Sequence, residues 1–115
     1  MKTIDRGKIA EDKALEFLKT QGLKHVTRNY HCRNGEIDLI MQDEKELVFV
    51  EVRYRKNKKY GSALDSVDQH KIKKIISAAN HYITSKKIDQ AMRFDVIGFD
   101  TSLTPNWIKN AFSAF

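Results

Sequence analysis

Residues 35–53, GEIDLIMQDEKELVFVEVR, decide the fold of this chain. They read as two strands, 36–41 and 47–53, joined by a charged turn at 42–46. Each strand has the period-2 alternation that a pleated backbone imposes on its side chains. A loop of two residues (Glu44 and Lys45) or of four sets the same hairpin register. Ile40 then faces Phe49, Asp38 faces Glu51 and Glu36 faces Arg53. The other side of the ribbon pairs Met41 with Val48, Leu39 with Val50 and Ile37 with Val52, so that face is expected to be wholly apolar.

The far end of the first face carries three carboxylates and a guanidinium. Like charges placed opposite each other destabilise a sheet. Two carboxylates in contact also cannot both stay ionised without a cation or a raised pKa. A hard divalent ion with oxygen ligands is the usual compensation. The plainer alternative is a solvated sheet end with Glu36 and Arg53 as a surface ion pair, worth under about 1 kcal/mol.

The strand runs on into Arg53-Tyr54-Arg55-Lys56-Asn57-Lys58-Lys59-Tyr60-Gly61. Basic residues leaving an acidic site suit a phosphate backbone, and a tyrosine there can stack on a base. Charge runs are also ordinary solvated loops. Upstream, a helix is expected from about Thr3 to Gln21, stopped by Gly22. Stepping about 100° per residue gathers Ile4, Ala10, Ala14, Leu15, Phe17 and Leu18 on one arc. Glu11 falls inside that arc, so it either reaches solvent at the stripe's edge or has a partner or a purpose.

Residues 25–32 read as a strand, and Arg33-Asn34-Gly35 as its turn into the hairpin. Strict alternation would put Thr27, Asn29 and His31 on one face, and Val26, Arg28, Tyr30 and Cys32 on the other. A second helix is expected from near Ser66, where Ser66 and Gln69 have capping-box spacing, to Ser85 or Lys86. Its stripe is Ile72, Ile75, Ile76, Ala79, Tyr82 and Ile83, and Lys71 borders it, able to point at the acidic end of the hairpin or to solvent. Residues 92–99 read as a central strand, with Asp95 beside Arg93 as a structural pair, and residues 107–112 as a final edge strand.

A length of 115 residues suits one domain with one core, spanning 1–115. The composition, 41% hydrophobic and 31% charged, is that of a folded globular chain rather than a disordered one. The net charge of +6 favours polyanionic partners, nucleic acid foremost. One cysteine, Cys32, excludes an internal disulfide and fits a reducing, cytoplasmic setting. No signal-type or membrane-spanning apolar run is present, so no membrane partner is expected. The four histidines lack zinc-ligand spacing.

Five stretches carry a resemblance. They are Gly7-x-x-x-Glu11-x-x-Ala14, Arg28-Asn29-Tyr30-x-Cys32-x-x-Gly35-Glu36-Ile37-Asp38-Leu39-Ile40, Leu47-Val48-Phe49-Val50-Glu51-Val52-Arg53, Arg93-Phe94-Asp95-Val96 and Asn110-Ala111-Phe112. The chain resembles the YraN-like family of small bacterial proteins and, through it, the PD-(D/E)XK nuclease superfamily. That resemblance implies an α/β fold with a restriction endonuclease-like core, a mixed sheet of four to five strands flanked by two helices. It implies a Mg²⁺ or Mn²⁺ cofactor held by Asp38, Glu51 and the Val52 carbonyl. Glu11, Asp38, Glu51 and Arg53 stand at the catalytic positions, and Glu36 in a supporting one.

Arg53 stands where most relatives have Lys, and an arginine protonated to above about pH 12 cannot serve as a base. It can still act as a cation on the phosphate. Arg55, Lys56, Lys58, Lys59 and Lys71 are the expected nucleic-acid contacts. The sequence therefore leaves three readings open. The first is a metal-dependent endonuclease-like protein acting on DNA, including branched DNA, with a homodimer expected on a two-fold junction. The second is a non-catalytic nucleic-acid-binding module of the same fold, and the third is a basic adaptor.

Overall fold

A helix with one apolar stripe and a ribbon with two apolar faces can bury all of that surface only in layers, with a helix on each side of the sheet. The computed structural model, which describes residues 5–55 and 64–114, has this arrangement. The elements run α1 (Arg6–Thr20), β1 (Lys24–Cys32), β2 (Gly35–Asp43), β3 (Glu46–Tyr54), a 3₁₀ turn (Leu64–Ser66), α2 (Gln69–Lys86), β4 (Ala91–Phe99) and β5 (Asn106–Phe112). The five strands lie in the order β1-β2-β3-β4-β5. Only β3 and β4 are parallel, because α2 carries the chain back across the sheet between them.

Ala10, Ala14, Leu15 and Leu18 of α1 bury against Leu39, Met41, Val48, Val50 and Ile97. Ile75, Ala78, Ala79 and Tyr82 of α2 bury on the other face, against Ile40, Leu47, Phe49, Phe94 and Val96. Among the described residues no helix is long and apolar enough to cross a membrane.

The hairpin register agrees with the sequence over its inner half: Leu39 pairs with Val50, Ile40 with Phe49 and Met41 with Val48. Asp43 pairs with Glu46, so the turn is the two-residue one, and Glu44 takes the left-handed conformation at φ 53°. Beyond Leu39 the outer half departs from expectation. Ile37 joins the α2-side core while Leu39 and Met41 join the α1-side core, so alternation slips by one residue at Asp38. The expected wholly apolar face therefore ends at Leu39.

The neighbouring strand slips at the matching place. Arg28 reaches Glu11 and Asp12 on α1, whereas Tyr30 meets His81 and Tyr82 on α2. Between them Asn29 sits at φ 53°, a conformation that Asn tolerates better than most side chains.

Both helix starts differ from the expected ones. The Asp5 side chain accepts the Lys8 N–H at 3.0 Å and caps α1, which therefore begins at Arg6. Asp68 caps α2 by accepting the Lys71 N–H at 2.8 Å. Ser66 is not the cap, because its hydroxyl and carbonyl both accept from Arg53.

Candidate functional site

The slip at Asp38 builds the site. Past Leu39 the β2–β3 ladder stops, and a backbone N–H left unpaired inside a protein is costly. Asp38 removes that cost with its side chain, which accepts the Val52 N–H at 2.8 Å. In antiparallel pairing a residue's N–H and C=O point to the same side of the strand. The Val52 carbonyl thus points to the β2 side of the strand as its N–H does.

Glu51 precedes Val52 and is only 3% exposed. Burial, followed by a hydrogen bond to Asp38 and the charge of Asp38, pushes its carboxyl up to about 8. Lys71 at 3.7 Å and Arg53 at 3.6 Å pull the other way and do not offset burial. Glu51 therefore keeps its proton to higher pH than an exposed carboxyl would, with Asp38 as its hydrogen-bond neighbour. The expected ladder pairing of Asp38 with Glu51 is absent, because the β2–β3 pairing ends at Leu39 and Val50, yet the two side chains still lie in hydrogen-bond contact.

Arg53 is not a free cation. Its Nε and Nη2 atoms donate to the Ser66 hydroxyl and carbonyl, both at 3.2 Å, which leaves Nη1 on the Glu51 side. Glu36 does not meet Arg53. It lies opposite His31 in β1 and contacts that ring at 3.2 Å, because the opened hairpin no longer brings position 36 across from position 53.

Glu11 approaches from the α1 side. Burial and then the charge of Asp38 raise its pKa, while hydrogen bonding and charge from Arg28, with a further bond from Asn29, oppose the rise. Arg28 bridges Glu11 at 3.3 Å and Asp12 at 2.8 Å. The three predicted acids thus form a pair, the half-buried Asp38 with the buried Glu51, and a flanking member, Glu11, which has its own cation. Among the described residues no group of three or more His, Cys, Asp or Glu side chains converges on one ion position.

The donor set still fits a magnesium-type ion. Such ions take one or two carboxylates and keep waters or substrate oxygens for the remaining positions. Asp38, Glu51 and the Val52 carbonyl are the groups that would hold it. Of the predicted nucleic-acid contacts, Lys71 borders the acid pair, and the Arg55 backbone extends the parallel ladder by donating to the Phe99 carbonyl at 2.8 Å. Lys56, Lys58 and Lys59 lie outside the described residues.

Sequence reasoning missed Arg28, because strict alternation aimed it at the α2 side with Tyr30. The Asn29 that reverses it is a weak signal taken alone. Asp95 was read as half of a structural pair and belongs to a larger network. Fully buried, it accepts from Arg93 Nε at 3.0 Å, Trp107 Nε1 at 2.9 Å and the Asn110 N–H at 2.9 Å. Every oxygen there is engaged, so Asp95 holds β4 and β5 together and is not a ligand in waiting.

A mixed five-stranded sheet between two helices, with an acid pair where two strands part, defines an α/β protein of restriction endonuclease-like architecture. Residues 10–99 match the description "Uncharacterised protein family UPF0102". A UPF0102 protein of Legionella pneumophila subsp. pneumophila is 50% identical over 115 residues, covering 97% of this chain and 98% of its own. One from Psychromonas ingrahamii is 49% identical over 108 residues, covering 93% and 88%. A third, from Methylococcus capsulatus, is 44% identical over 111 residues, covering 94% and 90%. The chain belongs to the UPF0102, or YraN-like, family.

Proposed function

We propose that this protein is a metal-dependent phosphodiesterase of endonuclease type, acting on nucleic acid and on DNA in the first instance. The observation that carries the reading is the Asp38–Glu51 pair, two acids in hydrogen-bond contact with one of them held up to about pH 8 by burial. A buried carboxyl such as Glu51, set beside a second acid and doing nothing, is a standing cost in stability. Magnesium or manganese bound there would neutralise the pair, polarise a phosphodiester and lower the pKa of water.

The chain's own residues supply the rest. With an ion bound, Glu51 would lose its proton to solvent and serve with Asp38 as a ligand. Asp38 stays fixed by the Val52 N–H. Arg53, held rigid by Ser66, presents a permanent positive charge to a phosphate oxygen. Lys71 adds a second cation from the α2 side. A nucleic-acid substrate and a single unpaired cysteine fit a cytoplasmic location. Branched DNA rests on the resemblance to the PD-(D/E)XK superfamily alone and would call for two copies on a two-fold junction.

The position of Arg53 favours one second reading, a nucleic-acid-binding module that does not cut, since a tethered guanidinium cannot take a proton from water. Cleavage of labelled single-stranded, duplex, flapped and four-way-junction DNA with Mg²⁺ or Mn²⁺, run beside Glu51→Gln, separates the two. Metal-dependent cutting that Glu51→Gln abolishes supports the enzyme. Equal cutting by Glu51→Gln overturns the site. Salt-sensitive binding without cutting, with cutting gained in Arg53→Lys, supports the second reading.

A further inference from the structure

Helix α2 contains no acidic residue, yet Lys71, Lys73 and Lys74 all fall near its N-terminus. Cations there oppose the helix dipole, and like charges three residues apart repel. Lys71 and Lys74, one turn apart, share a face. The β1–β2 turn is docked against that face. A Cβ on Gly35 would stand 2.8 Å from the Lys74 carbonyl, so only glycine allows the approach. The docking brings Arg33 to the same place.

Arg33, Asn34, Gly35, Lys71 and Lys74 thus line one open basin of about 360 Å³. Glu36 is also at its rim and is matched by His31. Among the described residues neither Arg33 nor Lys74 has a carboxylate within ion-pair distance, and Lys71 has only Glu51. Lys71 therefore belongs both to the basin and to the acid pair.

We propose that this basin, formed by Arg33, Lys71 and Lys74, is a binding subsite for the phosphate backbone of the nucleic acid, next to the Asp38–Glu51 pair on the α2 side of the sheet. The proposal rests on the nucleic-acid reading above and says where the strand lies beside the acid pair. A polyanion relieves both the crowding of cations and their conflict with the helix dipole. A basin open to solvent suits a backbone passing through rather than an enclosed small molecule.

The test is fluorescence anisotropy of labelled duplex and single-stranded DNA across a salt series, with Ca²⁺ in place of Mg²⁺. Each phosphate contact removed lowers the slope of log K against log salt by about 0.7–0.9. The Arg33→Ala/Lys74→Ala double variant is expected to bind at least tenfold more weakly, with a slope smaller by about 1.4–1.8. Lys86→Glu makes the same change in net charge about 18 Å further along α2 and is expected to stay within twofold of wild type.

Circular dichroism and Ca²⁺ titration of the double variant should match wild type, since both side chains are exposed and neither is a ligand. If the double variant binds as wild type does, or Lys86→Glu weakens binding equally, the basin is not the subsite and the parent reading stands. Competition by poly-glutamate as effective as that by DNA would mean an acidic protein surface as partner and would overturn the phosphate assignment. Wild-type protein that binds no nucleic acid at low salt would overturn both.

Discussion

Replacing Glu51 with Gln should make the protein more stable, and increasingly so as pH rises. Unfolded, the Glu51 carboxyl titrates near the ordinary value of 4.5, and folded it titrates at about 8. Between those values the folded chain holds a proton that the unfolded chain has lost. Stability therefore falls as pH increases across this window. A shift of about 3.5 units at about 1.4 kcal/mol each sets a ceiling of about 5 kcal/mol on the loss, complete just above pH 8. Relaxation and water entry reduce this, and half of it, about 2–3 kcal/mol, is still a large part of the 5–15 kcal/mol typical of a domain.

A glutamine amide keeps the donor to Asp38 and carries no titrating proton. Urea denaturation of both proteins at unit steps from pH 5 to 9, followed by the fluorescence of Trp107, the one tryptophan, measures the difference directly. Ionisations common to both cancel in it. The variant should match wild type within about 1 kcal/mol at pH 5 and exceed it by 2–5 kcal/mol at pH 9. Mg²⁺ should close the gap at pH 9 by stabilising wild type alone, through mass action on the folded state. A stability difference that is constant from pH 5 to 9 would refute the argument, because Glu51 would then titrate alike in both states.

Three other outcomes follow from named contacts. Asp95→Ala should cost about 3–5 kcal/mol in urea denaturation, because it strips a buried partner from Arg93 and leaves the Trp107 and Asn110 N–H groups unmet; a loss under about 1 kcal/mol would remove the network from the account of the β4–β5 edge. Arg28→Ala should raise the Glu11 pKa further, since Arg28 is the main group opposing the rise, and carboxyl-carbon NMR titration would contradict this by showing no change or a fall. Gly35→Ala should destabilise by about 1–3 kcal/mol, because its Cβ meets backbone rather than a yielding side chain, and thermal melting that leaves Tm unchanged would rule out the close docking of the turn on α2.

The hairpin, both helices and the two later strands were legible because each carries its own periodicity over enough residues to identify it. Asp38 and Glu51 stood out for the opposite reason, as carboxylates interrupting apolar runs. What could not be read was the paired slip at Asn29 and Asp38. A one-residue change of face leaves every residue's identity intact and alters only what it meets. It moved Arg28 to the α1 side, Ile37 to the α2 side and Glu36 away from Arg53. The anchoring of Arg53 by Ser66 was equally hidden, since it depends on where the 3₁₀ turn returns to the sheet. Residue type alone could not choose Asp68 over Ser66 as the α2 cap, because both are good caps and only the backbone decides between them.

The slip also explains why the acid pair can exist inside a stable sheet. Had the β2–β3 ladder continued, the Val52 N–H and C=O would have bonded to β2 backbone, and Asp38 and Glu51 would have been two like charges facing each other across a strand pair. Because the strands part after Leu39 and Val50, Asp38 substitutes for the missing acceptor. One of its oxygens satisfies a buried donor, and the carboxylate gains a fixed position. Glu51 then needs only a proton or a cation to be accommodated beside it. The sheet thus loses a few backbone bonds and gains a position where, on the proposed function, proton and divalent ion would compete for the same oxygens. That competition makes binding pH-dependent: metal should bind more tightly as pH rises towards 8 and should release a proton when it binds at pH 7.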